Sequence, residues 1–150
     1  SSLSQYENSI TAAGNTAYFI ADDGTNGIEL WKSDGTANGT MLVKDINNGS
    51  GNGLSYSNDF QSVGNTLYSV GTTLYFGADD GTNGTELWQS DGTASGTVLV
   101  QDIFAGSVSS TPDQFTVIGN TLYFRTTQLL PSGTGWGTAT GYQLWKVDIF

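Results

Sequence analysis

Histidine and cysteine are both absent from this chain of 150 residues. The sequence therefore lacks the commonest general base, the commonest transition-metal ligand and any means of forming a disulfide. Only four cations, Lys32, Lys44, Arg125 and Lys146, stand against 14 acidic residues, which gives a net charge of −10. Nucleic acids and anionic membrane surfaces are poor partners for such a chain, because both are bound through basic patches. Long apolar runs are also missing, so no insertion into a membrane is expected.

What the chain has instead is a segment that recurs at a fixed spacing. Glu29-Leu30-Trp31 returns as Glu86-Leu87-Trp88 and again as Gln143-Leu144-Trp145, each copy 57 positions after the last (86 − 29 and 143 − 86). Self-similarity at a period near 50 residues predicts a repeat architecture. The approximate repeats are 1–57, 58–108 and 109–150.

Each repeat is predicted to consist of short strands joined by tight turns. Runs of aromatic and β-branched residues are bounded by Gly-Asn, Asp-Gly and Gly-Thr pairs, which favour hairpins. No stretch shows a sustained period of 3.6 residues, so almost no helix is expected. In the second repeat the predicted strands are Phe60–Val63, Leu74–Ala78, Thr85–Ser90 and Thr97–Ile103. Four antiparallel strands in about 45 to 50 residues match the size of a β-propeller blade.

The middle strands are predicted to be covered on both faces. Leu74-Tyr75-Phe76 and Val98-Leu99-Val100 do not alternate between polar and apolar residues, as a sheet with one wet face would. Sheets stacked face to face explain this pattern better than a half-exposed sheet does. The predicted fold is therefore all-β, made of four-stranded antiparallel meander repeats that form a partial, about three-bladed, β-propeller-like domain.

The repeats also differ in ways that predict local changes. Val63–Ser69 is followed by a near copy, Val70–Phe76, which is expected to add a strand or to lengthen a hairpin. The third repeat carries an insertion at Gln128–Gly141 and lacks most of the fourth strand. Its last residues, Val147–Phe150, resemble Gln101–Phe104 at the end of the second repeat. The chain is thus expected to hold two full units and one truncated unit.

The sequence Glu-Leu-Trp-Gln-Ser-Asp-Gly-Thr at 86–93 resembles the ELW-x-x-DGT repeat family of secreted and surface-associated bacterial proteins. The same pattern is complete at 29–36 in the first repeat, whereas the third repeat keeps only Leu144-Trp145. The resemblance implies propeller-like β blades and an extracellular or cell-surface location. It implies no defined activity, because one fold hosts many functions.

Two acidic loops are candidate calcium sites. Each offers two carboxylates, an amide and a further carboxylate within a short turn, and oxygen ligands of this kind suit Ca²⁺. Neither loop matches the twelve-residue EF-hand pattern, and the same residues are ordinary hairpin chemistry, so a plain turn is the alternative interpretation. The candidate metal ligands are Asp22, Asp23, Asn26 and Glu29 in the first loop, and Asp79, Asp80, Asn83 and Glu86 in the second.

Other side chains suggest contact with sugars. Trp136 lies among Gly and Thr in the insertion, with Tyr142 nearby, and exposed aromatic rings of this kind stack on sugar faces. The alternative is that Trp136 folds back and packs. Asn38, Asn48 and Asn83 each begin a triplet with the spacing of an N-glycosylation site. Asp34 and Asp91, in the repeated Ser-Asp-Gly-Thr hairpins, are predicted to cap those turns as structural residues.

The composition favours a non-enzymatic, extracellular structural or adhesive protein that assembles with itself. Its acidic residues lie mostly in repeated turns, which argues against a catalytic pair of carboxylates. Three blades cannot close a ring, since propellers typically have four to eight. Three solutions remain open: a piece of a longer propeller, two chains pairing as six blades, or β-strand addition between neighbours that leads to a filament. A carbohydrate-binding module, with or without calcium, is the alternative function.

Overall fold

The computed structural model describes residues 10–54, 67–129 and 140–149. Within these ranges the chain forms β-strands and no helix. The strands are β1 (Ile10–Ala13), β2 (Thr16–Asp22), β3 (Ile28–Ser33), β4 (Met41–Lys44), β5 (Tyr68–Val70), β6 (Thr73–Asp79), β7 (Thr85–Ser90), β8 (Val98–Gln101), β9 (Asp113–Ile118), β10 (Thr121–Leu129) and β11 (Thr140–Asp148). It follows that no helix long and apolar enough to cross a membrane occurs in the described ranges.

The strands form three antiparallel sheets, one from each repeat. Sheet 1 has the order β1-β2-β3-β4, sheet 2 the order β5-β6-β7-β8, and sheet 3 the order β9-β10-β11. Each sheet is a meander in which neighbours in sequence are neighbours in space. The first hairpin of each turns at Gly14, Gly71 or Gly119, whose φ angles of 61 to 62° favour glycine. The all-β, antiparallel prediction is therefore confirmed.

The duplicated segment forms the first hairpin of sheet 2. Strand β5 consists of the last two residues of the first copy and the first residue of the second, and the turn at Gly71 places it directly against β6. The predicted strand Phe60–Val63 lies outside the described residues. In sheet 3, Val147 and Asp148 continue β11 and pair with β10. They do not form the end of a fourth strand, because the hairpin that would reverse the chain is missing.

Each sheet has two faces that can be matched between repeats. We call the side of sheet 1 that carries Tyr18, Leu30 and Lys32 its front face, and the side that carries Phe19 and Trp31 its back face. The matching front residues are Tyr75, Leu87 and Gln89 in sheet 2, and Tyr123, Leu144 and Lys146 in sheet 3. The matching back residues are Phe76 and Trp88 in sheet 2, and Phe124 and Trp145 in sheet 3.

The sheets pack front to back. Tyr18 and Leu30, on the front of sheet 1, share a hydrophobic cluster with Phe76 and Trp88 on the back of sheet 2. The front of sheet 2 forms a second cluster with the back of sheet 3, in which Leu87 is buried with Phe124. Both faces of sheet 2 are thus covered, as predicted. Each fully buried Leu or Phe stabilises the stack by about 1.5–3 kcal/mol.

Polar contacts fix how sheet 1 sits on sheet 2. The Lys32 ammonium donates a hydrogen bond of 2.7 Å to the Gly92 carbonyl in the hairpin between β7 and β8. The Lys44 ammonium donates to the Thr97 carbonyl at 3.0 Å and lies 5.8 Å from the centre of the Trp88 ring. Two of the four cations of the chain therefore serve this one interface.

Candidate functional site

The two acidic loops have the same hydrogen bonds. One Asp23 carboxylate oxygen accepts the backbone N–H groups of Thr25 and Asn26, both at 2.8 Å, and the other oxygen accepts the Asn26 amide at 2.7 Å. Asp80 repeats this arrangement, with the Asn83 backbone N–H at 2.8 Å and the Asn83 amide at 2.7 Å. These are Asx turns, in which a carboxylate folds the backbone around itself.

The aspartate that precedes each Asx turn also accepts a backbone N–H group, and the hydrogen bonds of the turns themselves affect the pKa values of Asp23 and Asp80. Asp22 accepts the Gly24 N–H at 2.7 Å, and Asp79 accepts the Gly81 N–H at 2.8 Å. Hydrogen bonds from Asn26, the backbone N–H first, lower the pKa of Asp23 below its ordinary value. Partial burial opposes the same shift at Asp80, but its donors still lower the pKa of that carboxyl. The loop therefore supplies donors of its own to oxygens that a cation would use.

The glutamate of each predicted calcium set points elsewhere. Glu29 is fully buried, and its carboxylate accepts backbone N–H groups from the segment that leads out of sheet 1: Ile46 at 3.2 Å, Asn47 at 3.1 Å and Gly53 at 3.0 Å. A side chain at Gly53 would collide with it, since an added Cβ would lie 2.3 Å from Glu29 Oε2. Glu29 therefore ties the connecting segment to β3.

Glu86 makes the same type of connection between sheets 2 and 3. It is also fully buried and accepts the Ile103 N–H at 3.0 Å, the Ser110 N–H at 3.2 Å and the Ser110 hydroxyl at 2.6 Å. Burial raises the pKa of Glu86 above its ordinary value, against the opposing effect of these donors, and it raises the pKa of Glu29 in the same way. We call these two residues the glutamate clamps.

The predicted calcium ligands are thus divided between two tasks. Asp22, Asp23 and Asn26 shape an exposed loop, while the Glu29 side chain is turned into the interior. In the second repeat, Asp80 likewise shapes the loop, while Glu86 is turned into the interior. Within the described ranges, no three acidic, histidine or cysteine side chains are grouped closely enough to hold a metal ion. Calcium binding stays a prediction, without a converging set of ligands in this part of the chain.

The Ser-Asp-Gly-Thr hairpins are built from hydrogen bonds of their own. Asp34 Oδ1 accepts the Thr36 N–H at 2.9 Å and the Thr36 hydroxyl at 2.6 Å, and Asp91 makes the same two bonds to Thr93. The Thr hydroxyl, named first, and the backbone N–H lower the pKa of both aspartates. These contacts agree with the structural role predicted for Asp34 and Asp91.

Strand β11 is the outermost described strand of sheet 3. In the other sheets the third strand lies between two partners, since β3 pairs with β2 and β4, and β7 pairs with β6 and β8. Among the described strands, β11 pairs only with β10. An outermost strand of nine residues is long enough to take a further strand along its outer side.

An ion pair on the front face of sheet 3 was not predicted from the sequence. Arg125 donates to Asp113 through Nε at 2.9 Å and through Nη2 at 2.5 Å, and Asp113 is only 2% exposed. The same guanidinium lies 4.2 Å from the centre of the Tyr142 ring. Arg125 takes the place of Ile20 and Gly77 in the other repeats, and a lone arginine in an apolar strand was the available signal.

The residues predicted to contact sugars have different positions. Tyr142 is 59% exposed, with one side of its ring against Arg125. Trp136 lies outside the described residues. Asn38 and Asn48 are exposed in turns, where a glycan would have room. Asn83 is half-buried, and its amide is already bonded to Asp80.

Comparison of the chain with protein-family models, with curated proteins and with solved structures gave no match.

Proposed function

We propose that this chain is a non-enzymatic, extracellular structural or adhesive repeat protein that assembles with itself through β-strand addition, into a filament. The observation that carries the proposal is that β11 is the outermost described strand of sheet 3, at the position where sheets 1 and 2 each have a further, fourth strand. Membership of the ELW-x-x-DGT repeat family and a surface location belong to the same proposal, and they rest on the repeated motif.

The outer side of β11 favours addition of a strand from a second copy. An antiparallel strand laid along it would give sheet 3 the four strands of its neighbours. The donor we propose is the N-terminal segment, residues 1–8, which lies outside the described residues. Donation from each copy to the next is a heterologous contact, which forms a filament unless the rotation between copies closes a ring.

The finer fold is part of the proposal. Three sheets packed front to back support a propeller-like arrangement of blades. Three are too few to close a ring, so a complete propeller would need sheets from a second copy. Two copies would supply six, which makes a closed dimer the competing form of assembly.

The test is the mass of the native assembly, from light scattering supported by electron microscopy. The proposal expects particles well above the 15.8 kDa of one chain. Deleting residues 1–8, or the double substitution Leu3→Pro and Gln5→Pro that removes backbone donors at constant length, should abolish assembly. The matched control, Leu3→Ala with Gln5→Ala, should leave it intact. A wild-type chain that stays monomeric would refute the proposal.

Carbohydrate binding is the second candidate, because Tyr142 exposes an aromatic ring at the end of the sheet. Its edge and its outer face are free to meet a sugar ring. The variants Tyr142→Ala and Trp136→Ala should then abolish binding on a glycan array, while leaving the mass of the assembly unchanged. Glycan binding that persists in both variants would exclude this site, and a chelator would show whether such binding needs calcium.

A further inference from the structure

The two ends of the stack of sheets expose residues that are buried inside it. Leu144, on the front of sheet 3, is 76% exposed, whereas the matching Leu30 and Leu87 are 0% exposed. At the opposite end, Ile10 on the back of sheet 1 is 70% exposed, whereas the matching Leu67 in sheet 2 is 4% exposed. Each end therefore presents the same kind of apolar residue that the internal interfaces cover.

The two ends also correspond to opposite sides of one interface. Between sheets 1 and 2, a front face meets a back face, and Leu30 and Leu67 belong to the same cluster. The front face of sheet 3 and the back face of sheet 1 are the two surfaces of this type that have no partner sheet among the described residues. A second copy of this chain carries the face that each of them lacks.

The polar contacts of the internal interface have counterparts at the ends. The Tyr18 hydroxyl lies against Gly92, where an added Cβ would be 2.4 Å from its oxygen, and Lys32 donates to the Gly92 carbonyl. Tyr123 and Lys146 take the places of Tyr18 and Lys32 on sheet 3.

On sheet 1, the counterpart of Gly92 is Gly35. The φ angle is 94° at Gly35 and 91° at Gly92, so the two glycines have closely similar φ angles in their hairpins. Among the described residues, and apart from its two neighbours in the chain, no heavy atom lies within 4 Å of the Cβ position at Gly35, so the surface described around it is open. A tyrosine and a lysine can therefore approach it as Tyr18 and Lys32 approach Gly92.

Charge favours the same pairing. Lys146 is exposed and is one of only four cations in a chain of net charge −10. Asp34, next to Gly35, is exposed and would lie close to it, just as Asp91 lies next to Gly92, whose carbonyl accepts the Lys32 ammonium inside the chain. A lysine between two copies offsets part of the repulsion that their like net charges create.

We infer that the front face of sheet 3 docks onto the back face of sheet 1 of a second copy of this chain, head to tail, with Leu144 covering Ile10 and the Lys146 ammonium bonded to the Gly35 carbonyl. The inference rests on the proposed self-assembly and gives it a geometry. The face of sheet 3 stacks on the face of sheet 1 of the next copy, while a strand from that copy is added beside β11. Because the two docked surfaces differ, each copy offers one of each.

The experiment uses the variants Leu144→Asp and Ile10→Asp of the full chain, with Val108→Asp as the matched control. Val108 is 55% exposed in the segment between sheets 2 and 3 and on neither face. Both face variants should weaken assembly at least tenfold in sedimentation or light scattering, whereas the control should match the wild type. Thermal melting by circular dichroism checks that all three remain folded, as their exposed positions lead us to expect.

Mixing the two face variants gives the sharpest result. Leu144→Asp keeps an intact sheet 1 face and Ile10→Asp keeps an intact sheet 3 face, so an equimolar mixture should form a dimer of twice the 15.8 kDa chain mass. If Leu144→Asp prevents assembly while Ile10→Asp does not, then the sheet 3 face of one copy pairs with the sheet 3 face of another. That result would overturn the head-to-tail inference.

Other outcomes separate this inference from the proposed function. A wild-type chain that assembles, with both face variants unaffected, refutes the docking alone and leaves strand addition standing. A wild-type chain that is a 15.8 kDa monomer at every concentration refutes both.

Discussion

Replacing Glu86 tests whether a buried carboxylate holds the segment between sheets 2 and 3. Glu86 Oε2 accepts the Ile103 N–H and the Ser110 hydroxyl, while Oε1 accepts the Ser110 N–H. In Glu86→Gln, the amide oxygen can keep the two bonds at one position, but the amide nitrogen then faces the Ser110 N–H. The Ser110 N–H keeps its bond of 2.9 Å to the Thr85 carbonyl, so we expect this substitution to cost about 1 kcal/mol or less. Removing a desolvated charge offsets part of that cost.

The alanine variant removes all three acceptor contacts. The Ser110 N–H and hydroxyl can still donate to the Thr85 carbonyl, at 2.9 and 3.3 Å, so the main loss is the acceptor of the Ile103 N–H, at a cost of about 1–3 kcal/mol. We expect Glu86→Ala to lower the free energy of unfolding by about 2 kcal/mol, which for a chain of this size lowers the melting temperature by roughly 4–8 °C. The control is Gln101→Ala, an exposed position on β8, where a change within about 0.5 kcal/mol is expected.

The pH dependence supplies a second readout. Burial raises the pKa of Glu86 above its ordinary value of 4.5, so the folded chain binds this proton more tightly than the unfolded chain does. The contribution of Glu86 to stability is therefore most favourable below pH 4.5 and is lost as the pH rises from there through the folded pKa. Burial also raises the pKa of Glu29, so its contribution to stability declines with rising pH in the same direction. The variant with both Glu29→Gln and Glu86→Gln should lose this decline.

Urea unfolding at several pH values, with melting followed by circular dichroism, measures both quantities. A Glu86→Ala variant as stable as Gln101→Ala would refute the clamp, because the Ile103 N–H would have lost its acceptor without a cost. The stability of the double glutamine variant could still fall between pH 4.5 and neutrality as steeply as that of the wild type. In that case the decline would come from groups other than Glu29 and Glu86. Aspartates with lowered pKa values, such as Asp23 and Asp34, act with the opposite sign and below their ordinary value of 3.8.

Three further predictions concern the ion pair, a hairpin and the acidic loops. Arg125→Ala leaves the carboxylate of Asp113 buried without its partner; because Arg125 is 34% exposed, we expect a loss of about 2 kcal/mol in urea unfolding, against almost none for Gln101→Ala. Gly96→Ala would place a Cβ 2.0 Å from Asp91 Oδ1, so it should lower the melting temperature by several degrees, at a cost of more than about 1 kcal/mol. Adding a chelator should leave the melting temperature unchanged, because the loop carboxylates already accept hydrogen bonds from their own backbone; a drop would restore the calcium hypothesis.

Much of the fold could be predicted, because it is encoded locally. Turn residues such as Gly71 and Gly119 mark the hairpins, and unbroken apolar runs such as Leu74–Phe76 mark strands buried on both faces. The duplication at 63–76 left open which residues pair with β6, because its two copies have similar local propensity. The register shows that Tyr68–Val70, across the junction of the copies, forms that strand.

The candidate site was less predictable, because its contacts join residues far apart in sequence. Glu29 and Glu86 sit beside acidic loops in the sequence, which grouped them with possible metal ligands. Their partners lie 17 to 24 positions further on, and neither composition nor spacing reports where a carboxylate turns. The Arg125–Asp113 pair is 12 positions apart across a hairpin and was missed for the same reason.

The glutamate clamps also decide where the chain can be cut. The strands of sheet 1 end at Lys44, but Glu29 needs donors as far as Gly53, and Glu86 needs donors as far as Ser110 although β8 ends at Gln101. A chain cut directly after β4 or β8 would lose the donors that bond the carboxylate of the preceding glutamate. Libraries that shuffle or multiply these repeats should therefore place their junctions after the connecting segment.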